Sequence, residues 1–404
     1  MKILIVSMNY APELTGIGKY SSEMAEWLAV EGHDVTVICA PPYYPSWKIN
    51  PPYVAWKYKK EQLNGVKVIR CPIWVPESVT GLKRMIHLVS FAMSSIPILL
   101  LQIFRINNVI FTVEPSFLNS FTALFVAKLS RANSILHIQD FEIDVAFELG
   151  IVKNKTLKRT LLKIEKITMS FFDVVSTSSE AMVDLLHEKG VPRSKAYLFP
   201  NWVDVDQIYP LKNKNQYRSN FNIDNDTCIA LYSGNMGEKQ GLEIIIESAN
   251  CLANSKILFL MCGSGVALKR LKKDSRHAPN VLWIDLQPLD RLNMLLNMAD
   301  IHLLPQLAGA SDLLMPSKLN GMLSSAIPIV ATTDKNTQIE KIVSDCGIAT
   351  EPENVKEFSD AILKLSMDDN LRRGLGKNAR NYAEKNLKYD VIMRNFEHKL
   401  LDMV

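Results

Sequence analysis

Ile3–Val6 (ILIV) is followed by Thr15–Gly18 (TGIG), and this order of an apolar run and a glycine-bearing loop decides the fold. After the loop, Tyr20, Met24 and Leu28 recur at the spacing that puts them on one face of a helix. The segment is therefore predicted to form a strand, a tight loop and an amphipathic helix. This order is typical of the first unit of a doubly wound α/β domain.

A second loop of the same kind lies far along the chain. Ile229–Tyr232 (IALY) is an apolar run, and Gly234–Gly237 (GNMG) follows it before another helical pattern. Glycine lets backbone N–H groups come close to an anion, and a helix start adds partial positive charge. The first loop is not a GxGxxG dinucleotide fingerprint, because Ser21 stands at the third glycine position. Two such loops predict a ligand that carries phosphate.

Apolar runs alternate with helical patterns along the whole chain, as in parallel sheets covered by helices on both faces. The further predicted strands are Val35–Cys39, Val66–Arg70, Asn108–Val113, Ser134–Gln139, Asp173–Thr177, Ala196–Phe199, Lys256–Cys262, Val281–Ile284, Ile301–Pro305 and Pro328–Ala331. The predicted fold is α/β, with two Rossmann-like, doubly wound parallel-sheet domains that face a central cleft. The proline-bracketed stretch Pro200–Pro210 contains the boundary. The predicted domains are 1–205 and 206–385, and a last helix, 386–404, is expected to pack back on the first domain.

Composition and charge narrow the functional class. The 404 residues suffice for two domains, and the hydrophobic fraction of 48% is that of a globular protein. A net charge of +4 is too small to indicate nucleic-acid binding. The six cysteines form no CxxC pair or Cys/His ligand set, which predicts no metal site and a reducing, cytoplasmic location. Ile3–Val6 is too short for the apolar region of a signal peptide.

Two segments raise the question of a membrane. Met85–Phe104 is long enough to span one, but it contains Pro97 and lies between two strands of one sheet, so we predict a buried or interfacial helix pair. Residues 153–172 combine regularly spaced lysines with leucine and isoleucine. Such a helix either lies on an anionic membrane or packs its apolar face on the core, and both alternatives remain open.

The candidate ligand-binding residues lie in the two loops and at later strand ends. They are Gly16, Ile17, Gly18, Gly234, Asn235, Lys239, Gly263, Gly265, Ser317 and Lys318. Gly263 and Gly265 leave room for a base or ribose, and Lys239 is able to neutralise a diphosphate. Lys318 is a cation in the first turn of a predicted helix, where only a nearby anion makes it favourable. Ser317 fits either the same anion or an ordinary helix cap.

The candidate catalytic residues are Asp140 and His137, in the stretch Ser134–Asp144 (SILHIQDFEID). Asp140 follows a strand at its carboxyl end, where a carboxylate is able to hold a substrate hydroxyl, stabilise developing positive charge or help to deprotonate an acceptor. His137 alternates with apolar neighbours. It is either a second catalytic group or a hydrogen-bonded histidine of the core.

The order of these motifs resembles that of retaining glycosyltransferases of family 4, which have the GT-B fold. The resemblance covers nearly the whole chain and rests on Tyr10–Gly18, Gly32–Val35, Ser176–Ala181, Pro200–Asp204, Gly234–Gly241, Gly263–Gly265, Met298–Pro305 and Pro316–Ala331. Within that family, Asp140–Glu142 and Gly234–Leu242 are most similar to the bacterial colanic-acid biosynthesis type, described as fucosyltransferases.

The resemblance implies a nucleotide-diphosphate sugar, GDP- or UDP-linked, as the donor, and no obligatory metal or other cofactor. The C-terminal domain would bind this donor, and the N-terminal domain would bind a polyprenyl-diphosphate-linked saccharide as acceptor. The implied function is retaining transfer of a sugar, with GDP-fucose as the best single donor, in exopolysaccharide, capsule or O-antigen synthesis. The implied location is the cytoplasmic face of the membrane, as a peripheral protein. Gly16, Gly18 and Lys318 would approach the diphosphate, with Ser317 and Lys239 beside them.

Two departures from the family pattern bear on activity. The two glutamates of the family motif fall near Leu313 and at Gly321, and neither position is acidic. Many members have an arginine where Asn235 stands. An inactive binding or scaffold subunit of a polysaccharide assembly complex therefore stays open as an alternative. A nucleotide-sugar 2-epimerase of the same fold is the other, and the apolar, basic N-terminal half argues against it.

Overall fold

The chain forms two compact units in the structure, which is a computed structural model. It describes residues 1–13, 16–78, 81–105, 107–113, 117–141, 143–144, 154–212, 215–237, 240–309 and 315–404. Unit 1 consists of Met1–Pro200 together with Ile392–Val404, and unit 2 of Asn201–Val391. The acceptor and donor roles assigned to segments 1–205 and 206–385 remain predictions.

Unit 1 is built on an eight-stranded sheet. Its strands are β1 Lys2–Val6, β2 Asp34–Cys39, β3 Lys59–Leu63, β4 Val66–Arg70, β5 Val109–Val113, β6 Asn133–Ile138, β7 Val174–Thr177 and β8 Ala196–Leu198. They lie in the order β3-β4-β2-β1-β5-β6-β7-β8, and the described pairings are parallel except that of β3 with β4. The chain leaves β1 toward β2 and later returns to β5 on the other side of β1. A topological switch point, where α/β sheets bind ligands, therefore lies at the carboxyl ends of β1 and β5.

The helices of unit 1 cover both faces of this sheet. They are α1 Gly16–Val30, α2 Gly81–Leu100, α3 Phe117–Ser130, α4 Lys155–Phe171 and α5 Glu180–Glu188. Right-handed crossovers that run in one direction put their helices on one face, so α2 to α5 share a face and α1 lies on the other. Packing agrees with this, because Phe91 of α2 and Val126 of α3 join one core cluster with Leu4 and Val6 of β1.

The apolar segment Met85–Phe104 is one helix and not the predicted pair. α2 runs through it, with Pro97 inside the helix, and continues into a 3-10 turn, Leu101–Phe104. Pro97 lies in the last turn of α2 and does not break it. By length and composition Gly81–Phe104 is apolar enough to cross a membrane, and 33% of its apolar stretch is buried in the protein.

Unit 2 contains a second, six-stranded sheet whose described pairings are all parallel. Its strands are β9 Cys228–Asn235, β10 Ile257–Ser264, β11 Val281–Ile284, β12 Ile301–Leu304, β13 Ile329–Thr332 and β14 Gly347–Thr350. The order is β11-β10-β9-β12-β13-β14, which puts the switch point at β9 and β12. Both units therefore have the predicted parallel α/β form.

The helices of unit 2 surround its sheet. They are α6 Asn215–Arg218, α7 Glu243–Cys251, α8 Leu268–Asp274, α9 Leu292–Asn297, α10 Lys318–Ser324, α11 Gln338–Cys346, α12 Val355–Met367 and α13 Asp369–Asn386. The final helix, α14 Tyr389–Met403, begins in unit 2, and its residues from Ile392 onward belong to unit 1. There the buried ring of Phe396 lies 4.2 Å from that of Phe199 and 5.4 Å from that of Phe111, centre to centre.

Candidate active site

The loop after β1 is held by a buried carboxylate, that of Glu13. Its Oε1 accepts hydrogen bonds from the backbone N–H groups of Tyr43 and Tyr44, at 2.8 and 2.9 Å, and its Oε2 accepts one from the Asn9 amide at 2.8 Å. Burial raises the pKa of Glu13, although these hydrogen bonds oppose the shift. Gly18 must be small here, because a Cβ on it would lie 2.8 Å from the Glu13 Cβ.

Gly16 and Ile17 form the open side of this loop. Gly16 has a φ of +57°, in the left-handed region that favours glycine, and no described atom lies within 4 Å of where its Cβ would be. Gly16 is exposed and Ile17 is half-buried. A ligand is thus able to approach the backbone at Gly16, whereas Gly18 faces Glu13.

Arg70 fixes the far side of the same loop. Its buried guanidinium donates to the carbonyl oxygens of Ala11, at 2.6 Å, and Ala40, at 3.0 Å, and its Nε pairs with Glu61 at 2.5 Å. These bonds join the loop to the ends of β2 and β4. The described part of the loop is therefore held at Ala11 and Glu13 by the protein's own hydrogen bonds, as in preorganised sites.

Asp140 is half-buried at the carboxyl end of β6. It lies within electrostatic range of the Tyr44 phenol, whose pKa is raised by desolvation first and then by the charges of Glu13 and Asp140. Arg84 acts on the same phenol in the opposite direction. The charges of Asp140 and Glu13 thus act on the same phenol, that of Tyr44.

His137 has the contacts of a core histidine. Its Nδ1 lies 2.9 Å from Ser176 Oγ, and its Nε2 lies 2.8 Å from the Gln139 amide nitrogen. Because that amide donates to Nε2, Nδ1 carries the proton and donates to Ser176. Burial lowers the pKa of His137 to about 3, so the ring, which stacks on Phe111, is neutral. A part for His137 in catalysis stays a prediction.

In unit 2, Gly263 and Gly265 let two loops approach closely. β9 and β10 pair through Gly234 and Gly263. A Cβ on Gly263 would lie 2.0 Å from the Gly234 carbonyl oxygen, and one on Gly265 would lie 2.3 Å from that of Met236. Close backbone packing is therefore a structural reason for both glycines. Their expected contact with a base or ribose stays a prediction.

Lys318 begins α10 and reaches the end of β9. Its Nζ donates to the Tyr232 hydroxyl oxygen at 3.1 Å and lies 4.2 Å from the centre of the Tyr232 ring. A Cβ on Gly234 would lie 3.4 Å from Lys318 Cδ, so the missing side chain leaves room for the lysine. Tyr232 is fully buried, and its hydroxyl donates to the Asn235 carbonyl at 2.5 Å. The ammonium is thus held in one position at the carboxyl edge of the sheet.

The charge of Lys318 is poorly compensated by the protein. Desolvation lowers the pKa of its ammonium to about 7, although the side chain as a whole keeps some contact with solvent. Within the described part of the chain it has no carboxylate partner, and its polar contact is with the neutral phenol of Tyr232. An anion bound here would supply the missing charge in a place where water screens it little.

The remaining predicted ligand-binding residues of unit 2 are Ser317, Asn235 and Lys239. A further prediction is the absence of a metal site. Ser317 stands at the N-cap of α10, but it is exposed and makes no capping hydrogen bond, so its hydroxyl is not used by the helix. Asn235 is also exposed, at the end of β9. Lys239 lies outside the described residues. Among the described residues no group of three or more His, Cys, Asp and Glu side chains is arranged to hold a metal ion.

Sequence reasoning assigned no role to Glu13 or Tyr232. Glu13 lies in the loop after β1, and a carboxylate next to a glycine turn was the feature of the sequence that could have indicated its role. Tyr232 ends an apolar run just before Gly234, and the hydroxyl group at the end of a predicted strand was the only feature of the sequence that could have indicated its role. The partners that give them their roles, Tyr43 and Tyr44 for Glu13 and Lys318 for Tyr232, are distant in sequence.

Both halves of the chain match families of known proteins. Residues 15–202 match the family described as Glycosyl transferase 4-like domain, and residues 213–382 match Glycosyl transferases group 1. Over 410 residues the chain is 37% identical to the putative colanic acid biosynthesis glycosyl transferase WcaI of Escherichia coli, with 98% of each protein covered. The chain belongs to the glycosyltransferases.

Solved structures share the fold of this glycosyltransferase. Sucrose-phosphate synthase from Thermosynechococcus elongatus superposes with a TM-score of 0.79 at 16% identity, covering 100% of this chain and 98% of the other. Anabaena HepE, in complex with UDP-glucose, superposes with a TM-score of 0.70 at 12% identity over 100% of both chains. The predicted GT-B fold is confirmed; at these identities the likeness concerns the fold alone.

Proposed function

We propose that this glycosyltransferase moves a sugar, with retention of configuration, from a nucleotide-diphosphate donor to a lipid-linked saccharide during synthesis of a surface polysaccharide. The observation that carries the proposal is Lys318, a desolvated ammonium held against Tyr232 without a described carboxylate partner. A diphosphate has the charge that this ammonium lacks. Two relatives support the proposal: the Escherichia coli protein is named for colanic acid biosynthesis, and HepE was solved with UDP-glucose.

The donor diphosphate would bind at the carboxyl end of β9. Lys318 would contact its oxygens, and the exposed side chains of Ser317 and Asn235 would donate further hydrogen bonds. As the sugar–phosphate bond breaks, negative charge grows on the departing diphosphate, and donors fixed in advance stabilise it. GDP-fucose is the proposed donor, and UDP-sugars are the alternative.

The acceptor would bind in unit 1, near the loop that Glu13 holds. Asp140 lies there, half-buried, and we assign it to the acceptor hydroxyl or to the positive charge that develops on the sugar. In a retaining transfer of this kind, the acceptor attacks from the face that the leaving group vacates and the donor phosphate takes its proton. The open backbone at Gly16 is a second candidate contact for phosphate.

The proposed location is the cytoplasmic face of the membrane, where nucleotide sugars and lipid-linked acceptors meet. The decisive experiment incubates the full chain with radiolabelled GDP- and UDP-sugars and lipid-linked saccharide extracted from bacteria. A new glycoside in the lipid fraction supports transfer, and the anomeric coupling of its new bond reports retention. An isomerised donor would indicate a 2-epimerase instead. Donor binding without any product would indicate a binding or scaffold subunit.

A further inference from the structure

α2 is a largely apolar helix that exposes many of its apolar side chains. Its exposed side carries a continuous apolar stripe, made of Leu82, Met85, Ile86, Val89, Met93 and, in the following turn, Phe104. Met93 is 62% exposed and Phe104 is 88% exposed. At about 100° per residue these positions fall on one side of the helix, so they form a single surface.

The opposite side of α2 buries polar groups. The His87 Nδ1–H donates to the Trp74 carbonyl at 2.6 Å, and Ser95 Oγ donates to the Asn119 side chain of α3 at 3.1 Å. Gln102 is buried as well, and its amide donates to the Ile98 carbonyl. The same side buries Phe91 and Leu99, so both sides of α2 are largely apolar, whereas a water-facing helix has a polar outer side. Water is therefore a poor solvent for the outer face of α2.

The neighbouring helix extends this apolar surface. α3 packs on α2 and exposes Phe121, Phe125 and Leu129, which lie one turn apart on one side. α4 packs on α3 and leaves Phe171 57% exposed. α2, α3 and α4 cover the same face of the sheet. Their outer sides therefore form one exposed surface, which we call the docking face.

Basic residues predominate around the docking face. α2, its 3-10 turn and α3 contain no Asp or Glu, whereas Lys83, Arg84, Arg105 and Lys128 lie within or next to them. Lys128 pairs with Asp173, which follows α4, at 3.1 Å. The Glu165 carboxylate of α4 points inward, where it pairs with Lys189 at 2.5 Å. Two amphipathic aromatic residues, Tyr58 and Trp74, are exposed beside α2 and bond to it. Apolar stripes, basic rims and flanking Tyr and Trp are the features of a surface that lies in a lipid interface.

We propose that the docking face of α2, α3 and α4 lies on the surface of an anionic phospholipid bilayer. The apolar stripe enters the boundary between headgroups and acyl chains, and the basic residues contact lipid phosphates. α2 does not span the bilayer, because β4 and β5, which it joins, belong to one sheet and because Phe91 and Leu99 pack in the core. The inference rests on the proposed function only in that a lipid-linked acceptor is reached from such a surface.

The test measures lipid binding and not sugar transfer. Its failure would therefore be distinguishable from a failure of the proposed function. Full-length protein is floated with vesicles of phosphatidylcholine containing phosphatidylglycerol, and with vesicles of phosphatidylcholine alone. The double variant Met93→Asp/Phe104→Asp is compared with Val266→Asp/Met367→Asp, which changes residues of unit 2 that are 77% and 74% exposed. All four sites lie on the surface, and circular dichroism checks that each variant folds.

We expect the wild type and the unit 2 variant to float with anionic vesicles and the docking-face variant to lose at least about tenfold in partitioning. Arg131 is exposed directly after α3. Arg105→Gln/Arg131→Gln should weaken binding to anionic vesicles, and salt should do the same. Three results would overturn the inference: wild type that stays in solution, a docking-face variant that binds as well as wild type, or equal binding to neutral and anionic vesicles. A fourth result would come from sedimentation equilibrium. If the wild type is a dimer and the docking-face variant is a monomer, a second copy of the chain covers the docking face and the inference is overturned.

Discussion

The ammonium of Lys318 lies 3.1 Å from the hydroxyl oxygen of Tyr232 and 4.2 Å from the centre of its ring. The two residues come from α10 and β9, which meet at the switch point of the second sheet. Tyr232 positions the lysine without neutralising it. The charge of Lys318 therefore remains available to a ligand, and several measurable consequences depend on it.

Lys318→Ala should weaken the binding of UDP and GDP about 10- to 150-fold, because one charge-assisted hydrogen bond contributes roughly 1.5–3 kcal/mol. Isothermal titration calorimetry measures both ligands. Lys256→Ala is the matched control, since Lys256 belongs to the same unit but is exposed and pairs with Asp226. Equal affinities of the wild type and Lys318→Ala would remove Lys318 from the diphosphate site.

The affinity for a nucleoside diphosphate should fall as pH rises above 7. The pKa of Lys318 is lowered to about 7 in the free protein, and a bound diphosphate favours the charged ammonium and raises that pKa. Between the two pKa values, binding takes up a proton, so affinity falls by up to about tenfold per pH unit. Lys318→Arg keeps its charge throughout this range and should give a flatter profile. A wild-type profile that is flat between pH 7 and 9 would contradict the prediction.

Asp140→Asn should reduce turnover at least about a hundredfold and leave donor affinity unchanged, because the substitution keeps the shape but removes the charge. Turnover is followed with radiolabelled donor and affinity by calorimetry. Asp184→Asn, at an exposed position of α5, is the control. Unchanged turnover would show that the Asp140 carboxylate has no part in the reaction.

Gly263→Ala should destabilise unit 2 by about 1–3 kcal/mol, because its new Cβ would meet the Gly234 carbonyl oxygen and force the loops apart. Gly374→Ala is the contrasting control, since it lies in α13 with open space around it and should stabilise the helix by about 0.5–1 kcal/mol. Urea unfolding measures both changes. If the two variants shift stability in the same direction, the close approach of the loops is wrong.

His137 should make unit 1 sensitive to acid. Burial lowers its pKa to about 3 from an ordinary 6.5, so between these values the unfolded chain binds a proton that the folded protein does not. The free energy of unfolding therefore rises with pH in that window, by up to about 1.4 kcal/mol per unit from this group. His137→Gln should reduce the slope, whereas His277→Gln, at an exposed site, should not. Denaturant titrations at several pH values measure how the free energy of unfolding depends on pH. Equal pH slopes for the wild type and His137→Gln would show that His137 is not the source of the acid sensitivity.

The fold was predictable because its signal is local. Ile3–Val6 and Ile229–Tyr232 are continuous apolar runs, and each became a central strand of a parallel sheet. The position of Lys318 at a helix start was also predicted from the sequence, where a cation conflicts with the helix dipole, and its contact with a diphosphate stays a prediction. Tyr232 was missed because its importance depends on α10, which is far away in the chain.

The direction of α2 could not be predicted for a related reason. Met85–Phe104 is apolar on almost every side, so its composition does not tell which stripe faces the core. Packing against β1 and α3 makes that choice, through Phe91 and the Ser95–Asn119 hydrogen bond. The same packing selects one helix with Pro97 inside it, where the proline had suggested two. Periodicity gives no such information when both sides are apolar.

Phe396, in the final helix, has a consequence for the order in which the protein is made. Its ring completes an aromatic cluster with Phe199 and Phe111, so unit 1 contains residues from both ends of the chain. During translation the ribosome releases Met1–Pro200 long before it releases Phe396. While Asn201–Val391 is synthesised, the nascent first unit therefore lacks the Phe396 ring of its aromatic cluster. The cluster is completed only after the helix that carries Phe396 has been synthesised.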